Sequence, residues 1–570
     1  MGIGNSKLVT DPATLAQQEF DYIVIGAGAA GCVLANRLSE NPKVRVLLVE
    51  AGGNNEKELL SKVPAAWPQL MHTPNDWAYK TTPQKELNGR ELEWARGKLL
   101  GGSTSINAMM FQTAPPEDID EWERKGATGW NWNTLQPYFR KSEKFTPSAL
   151  RENNTHEYRG DSGLWLTGYQ NCSPITDDFV AASANVGIPR VNSSATAYLP
   201  TDVRARSNLV ILTNTLCTKL VLTGSGDAVT CTGAEFATSP SSPKTIIKAQ
   251  KEVIVATGAV NTPQLLMISG IGPAAELARA GIIPQVVSEH VGQHLTDHLI
   301  SCAIFHAKES VDYLASPIKG LPALAQWLFT GKGPMTTNAG EGATFLRLDQ
   351  TQNLWETKHN TLAPVMDTTS GPGAPDIELI CAPVTFFKHG QGKAGPGEKN
   401  FTIGAGLLRP ASEGYIGLKS ANPFEYPIIE ANYFSNRSDI DSLIRAIRIT
   451  LKITQAAPLA DKLITAVKQN DDMSNMHWLH DQDPETLTDA KLEQWLRGNV
   501  ETLYHPVATA RMASSISDGV VNSELRVFGV SNLRICDASV FPTQVAGHTT
   551  ATVIAVGERL SDMIIKGSKA

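Results

Sequence analysis

Cysteine is scarce and scattered: seven residues in 570, at positions 32, 172, 217, 231, 302, 381 and 536, and never as a CxxC pair. That odd, unpaired set excludes a disulfide framework and a zinc ribbon. Charge of one sign is concentrated nowhere, since 50 Lys and Arg stand against 57 Asp and Glu for a net charge of -7. Without a basic stripe, a nucleic-acid surface is not expected. No apolar run approaches the ~20 residues that cross a bilayer, so no transmembrane span is expected. The first residues, MGIGNSKLVTDPATLAQQEF, lack the apolar segment of a secretory signal. The expectation is a reduced, intracellular, cytoplasmic protein. Triplets of the N-x-[ST] type at Asn153, Asn171, Asn192, Asn400 and Asn436 carry little weight against it, because they arise by chance at about this density.

What is present is globular in kind, with 42% hydrophobic and 19% charged residues. At ~150 residues per domain the length suggests about four domains. Met1, Gly2 and Ser6 fit the M-G-x-x-x-[ST] pattern of N-myristoylation, with Lys7 beside them; one such chain would give only weak, reversible lipid contact. The terminal Ser568, Lys569 and Ala570 depart from the peroxisomal S-K-L address at the last position, which favours a simple tail. Peroxisome and membrane surface stay open beside the cytosol.

The first ordered unit is a dinucleotide fingerprint. DYIVI at 21 to 25 reads as a buried strand and runs into Gly26, Gly28 and Gly31 in G-A-G-A-A-G, then a helix with apolar spacing, then the strand VRVLLV ending at Glu50. Glycines let the backbone turn and approach a pyrophosphate at the helix N-terminus, and Glu50 would accept from a ribose hydroxyl. A carboxylate there repels a 2′-phosphate, so NAD and FAD remain and NADP is disfavoured.

Two more segments choose between them: RGKLLGGSTSIN from Arg96 to Asn107, and GAVNTPQLLMISGIG from Gly258 to Gly272 after the strand VIVAT. With GYIGLKSANP at 414 to 423 and PIIEANYF after it, YHPVATARM at 504 to 512, and the block from Asp537, they resemble the GMC (glucose, methanol, choline) oxidoreductases in order along nearly the whole chain. The active-site pattern is nearest to the aryl-alcohol-oxidase-like members.

That resemblance implies an α/β (α+β overall) fold: a Rossmann-like FAD-binding domain interlaced with a substrate domain on an antiparallel sheet flanked by helices. The expected division is a flexible lead at 1–18, an FAD domain from 19–115, 205–300 and 500–566, and a substrate domain from 116–204 and 301–499. The GYIGLKSANP and PIIEANYF segments would belong to the substrate sheet. It also implies FAD contacts from Gly26, Gly28, Ala29, Gly31, Glu50, Ala51, Arg96, Gly101, Gly102, Ser103, Asn107, Cys217, Asp537, Ala538, Gly547, His548 and Thr549. Members that attach FAD covalently use a His where this chain has Ile106, so the expected attachment is non-covalent. The helix starting near Thr549 would present its positive end to the pyrimidine edge of the flavin.

Among twelve histidines, His290, His294 and His298 have the i, i+4, i+8 spacing of a helical metal site, but Gly292 weakens that helix, and no metal is expected. His505 and His548 fall at the family's active-site positions. A neutral imidazole accepts a proton at physiological pH, so the expectation is that His505 takes the alcohol proton as hydride passes to flavin N5, while His548 orients the oxygen. Tyr504, Trp94 and Phe387 would line the pocket, Phe386 and Phe387 lying in a Gly- and Lys-rich stretch read as a mobile loop. Aromatic walls favour a small neutral primary alcohol, benzylic, allylic or furanic, giving an aldehyde. The electron acceptor would be O₂, with H₂O₂ as product. A quinone- or dye-linked dehydrogenase and a hydroxynitrile lyase with structural FAD are the alternatives. Ala95 and Ala508 stand where Pro and Gly are usual in the family.

Overall fold

A computed structural model describes residues 8–147, 159–170, 172–188, 190–191, 195–196, 199–309, 317–358, 361–392, 394–464 and 471–567. Two sheets organise it. The first has nine strands, ordered Leu8–Val9, Leu209–Leu212, Val46–Val49, Phe20–Ile25, Thr245–Val255, Val229–Ala237 and Leu216–Thr223, with Val530–Ser531 and Leu533–Ile535 added beside the last long pair. Its fingerprint half is parallel, Ile23 pairing with Leu47 on one side and Val253 on the other. Parallel strands are buried on both faces, which is why DYIVI and VLLV are almost continuously apolar. The helices Ala29–Leu38 and Thr549–Gly567 cover one region, so close that a Cβ on Gly557 would sit 3.3 Å from Ala30 Cα. Glu558, fully buried there, is neutralised by Arg37 at 2.6 Å and Lys141 at 3.0 Å.

The second sheet is antiparallel and six-stranded: Glu501–Thr502, Leu299–His306, Asn400–Leu407, Ile377–Ala382, Gly342–Leu346 and Arg190–Val191. Side chains alternate across a strand, and here the alternation divides labour. Leu379, Cys381, Phe401, Ile403 and Ala405 pack with Ile440, Ile444 and Ile447 of the helix Arg437–Thr454. Ile300, Cys302, Ile380, Ala382, Thr402 and Gly404 face a cavity between the two sheets instead.

Three expectations change. The lead is ordered from Leu8 onward: Leu8 pairs with Ile211 in parallel, and Asp11 caps the turn Pro12–Leu15 by accepting from the Ala13 amide at 2.9 Å. Leu15 is buried, so an apolar pair, an Asp-Pro turn and one core leucine fix the segment. Residues 1–7 and 568–570, with the acylation pattern and the S-K-A tail, lie outside the described residues. Second, GYIGLKSANP and PIIEANYF do not join the six-stranded sheet. Tyr415–Gly417 and Ile428–Glu430 make their own two-stranded ribbon, because Ile416 donates to Gly292 O and Gly414 to Leu295 O, which hold it on the 292–295 loop. Third, the strands Leu299–His306 and Glu501–Thr502 carry residues on both sides of the expected domain boundaries into the substrate sheet. Among the described residues no helix is long and apolar enough to cross a membrane.

Candidate active site

Gly26 ends the first strand with φ +97°, and a Cβ on Gly31 would lie 1.9 Å from Gly26 O. Those two glycines therefore serve the turn and its packing, and Gly26 also borders the cavity. Gly28 differs: nothing lies within 4 Å of its missing Cβ, and with Ala29 it lines the cavity at the open N-terminus of the helix. Glu50, at the end of the second strand, accepts from Ala27 N at 3.0 Å and Gly52 N at 2.9 Å. Burial pushes its carboxyl up to about 7, opposed by those amides. Glu50 and Ala51 line the same cavity.

The paired glycines dock on this turn. Gly101, φ +94°, donates to Ala27 O at 2.8 Å, and a Cβ on Gly102, φ +54°, would come 2.8 Å from Gly28 Cα. Gly102, Ser103, Ile106 and Asn107 reach the cavity; Gly101, Gly31 and Gly547 do not line it and act through packing. Cys217 lines it from the antiparallel side of the large sheet, and Ala538 and Thr549 from the C-terminal block. Asp537, pushed up by burial, accepts from Gly258 N at 2.9 Å, Thr262 Oγ1 at 2.7 Å and Ser539 N at 2.8 Å. It thereby joins the start of the helix Gly258–Ile268 to the C-terminal block. Arg96 lines the cavity, but its guanidinium serves the backbone, donating to Ala95 O at 2.7 Å and to Tyr504 O.

Three helix N-termini, a glycine loop open at Gly28 and a ribose-type carboxylate on one cavity fit the pyrophosphate and ribose of a dinucleotide. FAD would be held by Gly28, Glu50, Gly102, Asn107, Cys217, Ala538 and Thr549.

Where the two sheets meet, His505 and His548 face one another with ring centroids 4.7 Å apart and planes at 82°. Both line the cavity. His505 Nδ1 lies 2.9 Å from His298 Nδ1, which leaves its Nε2 for a ligand. Burial first, then His548, His298 and Arg96, holds His505 well below the usual imidazole range; burial takes the enclosed His298 down to about 3. His548 Nε2 sits 3.2 Å from Glu378 Oε2 and 3.3 Å from Oε1. Glu378 is fully buried and also accepts from Gln112 Nε2 at 3.1 Å. The histidine backbones are anchored too: Asp297 accepts from His505 N at 2.8 Å, and Gln544 Nε2 donates to His505 O at 2.8 Å. The loop before His548 is tied down by Ala546 N donating to Asp118, which pairs with Arg409 at 3.4 Å.

Trp94 does not line the pocket. It pairs with Tyr79 in a two-strand ribbon, and alternation turns its ring into the protein and Ala95 toward the cavity. Its indole donates to Tyr433 Oη at 3.0 Å, Tyr433 donates to Asp297 at 2.5 Å, and Asp297 holds His505 N. Phe387 is not a lining residue either; Phe386 is, 5.8 Å from the Trp67 ring. Residues 386–392 form a tight hairpin, Phe387 pairing with Gly392, with Phe386 N on Thr402 Oγ1 at 3.1 Å. Tyr504 does line the cavity, at φ +62° with its hydroxyl 3.7 Å from Met71 Sδ. His290 and His294 contact each other at 2.9 Å away from His298. Among the described residues no group of three or more ligating side chains is placed to hold a metal.

Sequence reasoning missed Glu378, Gln112, Trp67, Asn338 and His389, and it gave His298 no role beside His505. Only Glu378 carried a signal, as a carboxylate inside the apolar strand IELICA.

Fold and site together define a flavin-type oxidoreductase with two facing histidines. Family models described as GMC oxidoreductase match residues 20–300 and 410–557. The chain is 39% identical to "Dehydrogenase str4" of Strobilurus tenacellus, over 96% of this chain and 94% of that one. It is 34% identical to "Alcohol dehydrogenase [acceptor]" of Pseudomonas putida, over 96% of each. A solved formate oxidase variant of Aspergillus oryzae, whose study concerns its FAD modification, superposes with TM-score 0.85 at 27% identity, over 97% of this chain and 99% of that one. The chain belongs to the GMC oxidoreductase family.

Proposed function

We propose that the protein oxidises a small, neutral primary alcohol of benzylic, allylic or furanic type to the aldehyde, with the electrons passing to O₂ to give H₂O₂. FAD supplies the two-electron acceptor that takes the carbon-bound hydrogen as hydride. The facing pair His505 and His548, at 4.7 Å between centroids, carries the reading. His505, neutral because it is buried, accepts the hydroxyl proton at Nε2. His548, oriented by Glu378, holds the oxygen as negative charge develops on it. Trp67, Met71, Phe386 and Tyr504 supply an apolar, aromatic wall that excludes water and suits a flat substrate. Ile106 at the covalent-attachment position supports a non-covalent flavin.

The names of the Strobilurus and Pseudomonas relatives favour a second reading, a dehydrogenase that passes the same electrons to a quinone. A panel of primary alcohols mixed anaerobically with the holoprotein tests the first step: at least one benzylic, allylic or furanic member bleaches the flavin. Peroxide formed in a one-to-one ratio with aldehyde under air supports the oxidase, and dye reduction without peroxide the dehydrogenase. No bleaching by any alcohol, with HCN released from mandelonitrile, would overturn both in favour of a lyase.

A further inference from the structure

Two polar groups in the substrate half of the cavity play no part in that chemistry. Asn338 is 2% exposed. Its Nδ2 donates to Ala108 O at 2.5 Å, its amide N–H to Gln170 at 2.8 Å, and its carbonyl accepts from the Trp67 indole at 2.9 Å. A nitrogen committed to a carbonyl fixes which way the side-chain amide points. The remaining atom, Oδ1, is buried without a hydrogen-bond partner. Buried polar atoms are nearly always satisfied, and an orphan needs an explanation.

His389 supplies the second. Lys388, His389 and Gly390 lie in succession at φ +48°, +57° and +77°, and Gln391 N closes the turn on Lys388 O at 3.0 Å. Two consecutive non-glycine residues in the left-handed region are strained, and such strain gathers at ligand clamps. Its effect is to turn His389 inward from a hairpin tip. The ring is 4.9 Å from Tyr504, and Nε2 is 3.0 Å from Glu501, whose other oxygen is 2.5 Å from Arg90. An imidazole that donates Nε2–H to a carboxylate presents Nδ1 as an acceptor. Trp67 connects the two groups. It bonds Asn338 and packs on Phe386, while Gly390 approaches the neighbouring Pro68.

We propose that Asn338 and His389 form a second recognition subsite that takes a hydroxyl group carried by the substrate away from its reacting carbon. The identity of the ligand as an alcohol rests on the function proposed above. Two acceptors demand a donor, and the single proton of a hydroxyl is taken by one of them at a time. A carboxylate tail would meet Asn338 Oδ1 and the neighbouring Glu501, and an apolar tail would leave Oδ1 unsatisfied, so both are rejected. A site built to bond a hydroxyl discriminates strongly against the analogue that lacks it.

The test uses ketones, which lack the hydrogen that oxidation removes. Dissociation constants of 4-hydroxyacetophenone and 4-methylacetophenone, with the matching meta pair, are read from the change in flavin absorbance of the holoprotein. The better-placed hydroxyl isomer is expected to bind about tenfold more tightly than its methyl partner, and Asn338→Leu and His389→Phe each to bring that ratio toward one. A wild-type ratio near one in both pairs, or a ratio unchanged in the variants, overturns the subsite. If Asn338→Leu does not fold, the wild-type ratio and His389→Phe still decide. Turnover of 4-hydroxybenzyl and 4-methylbenzyl alcohol is measured beside it. A binding preference without turnover of either alcohol would leave the subsite standing and count against the oxidation chemistry alone.

Discussion

Glu378 Oε1 lies 3.3 Å from His548 Nε2 as its hydrogen-bond partner, and the carboxylate is fully buried where the strand Ile377–Ala382 faces the cavity. A charged acceptor in that position fixes the ring's orientation and tautomer, as a carboxylate does for a catalytic histidine elsewhere. Hydrogen bonds to a charged group contribute ~1.5–3 kcal/mol. Glu378→Gln keeps the shape and removes the charge, so flavin reduction by the best alcohol should slow by about 10- to 100-fold, with substrate affinity little changed. An unaltered reduction rate in stopped flow would show that His548 needs no anionic partner.

His505 gives a pH prediction with a definite sign. Burial, then His548 and His298, lowers its pKa below the ordinary 6.5, so the neutral base is present above that lowered value and lost only as pH falls through it. The rate of flavin reduction should therefore stay level from pH 8 down past 6.5. His505→Ala should lower the level by about 10²- to 10⁴-fold and abolish any acid limb. A limb centred at or above 6.5 in the wild type would assign the proton to another group.

The glycines and Glu50 were legible because backbone geometry dictates them: Gly26 needs a left-handed φ, Gly31 has no room for a Cβ, and Gly28 must leave open space. The two histidines were legible through the order of motifs. Glu378 was hidden because its partner is 170 residues away, a pairing fixed by sheet register that local pattern does not encode. His298 stood out only by its spacing from His290 and His294, and only the docking of the 504–505 turn brings His505 to it. Trp94 was misread because a ribbon of two residues, Glu93–Trp94, decides which of Trp94 and Ala95 meets the cavity. The aromatic wall from Trp67 rests on the run Pro64–Leu70, which carries no motif.

Flavin attachment can be checked without any turnover. Ile106 is buried, 5% exposed, and lines the cavity where an attaching side chain would stand, and an alkyl side chain forms no bond to a flavin ring. Acid precipitation should release all of the yellow colour to the supernatant, with FAD recovered intact. Colour retained in the washed pellet would mean that another residue makes the bond.

Acid stability should depend on a histidine cluster remote from the chemistry. His306 stacks on His477 at 3.8 Å and meets His480 edge-on at 5.2 Å, while His477 Nε2 is 3.0 Å from Asn400 Oδ1. Burial, followed by His306, takes His477 and His480 down to about 4. Both values lie below the ordinary 6.5, so on acidification the unfolded chain binds these protons before the folded one does. The cluster's contribution is complete above pH 6.5 and is lost progressively as pH falls toward 4. His480→Phe keeps a ring against Phe305 and removes one of the protons. Thermal midpoints measured from pH 7 to 4.5 should fall for both proteins, because other groups titrate as well, but less steeply for the variant. Parallel curves would show that His480 takes up no more protons in the unfolded chain than in the folded one over that range.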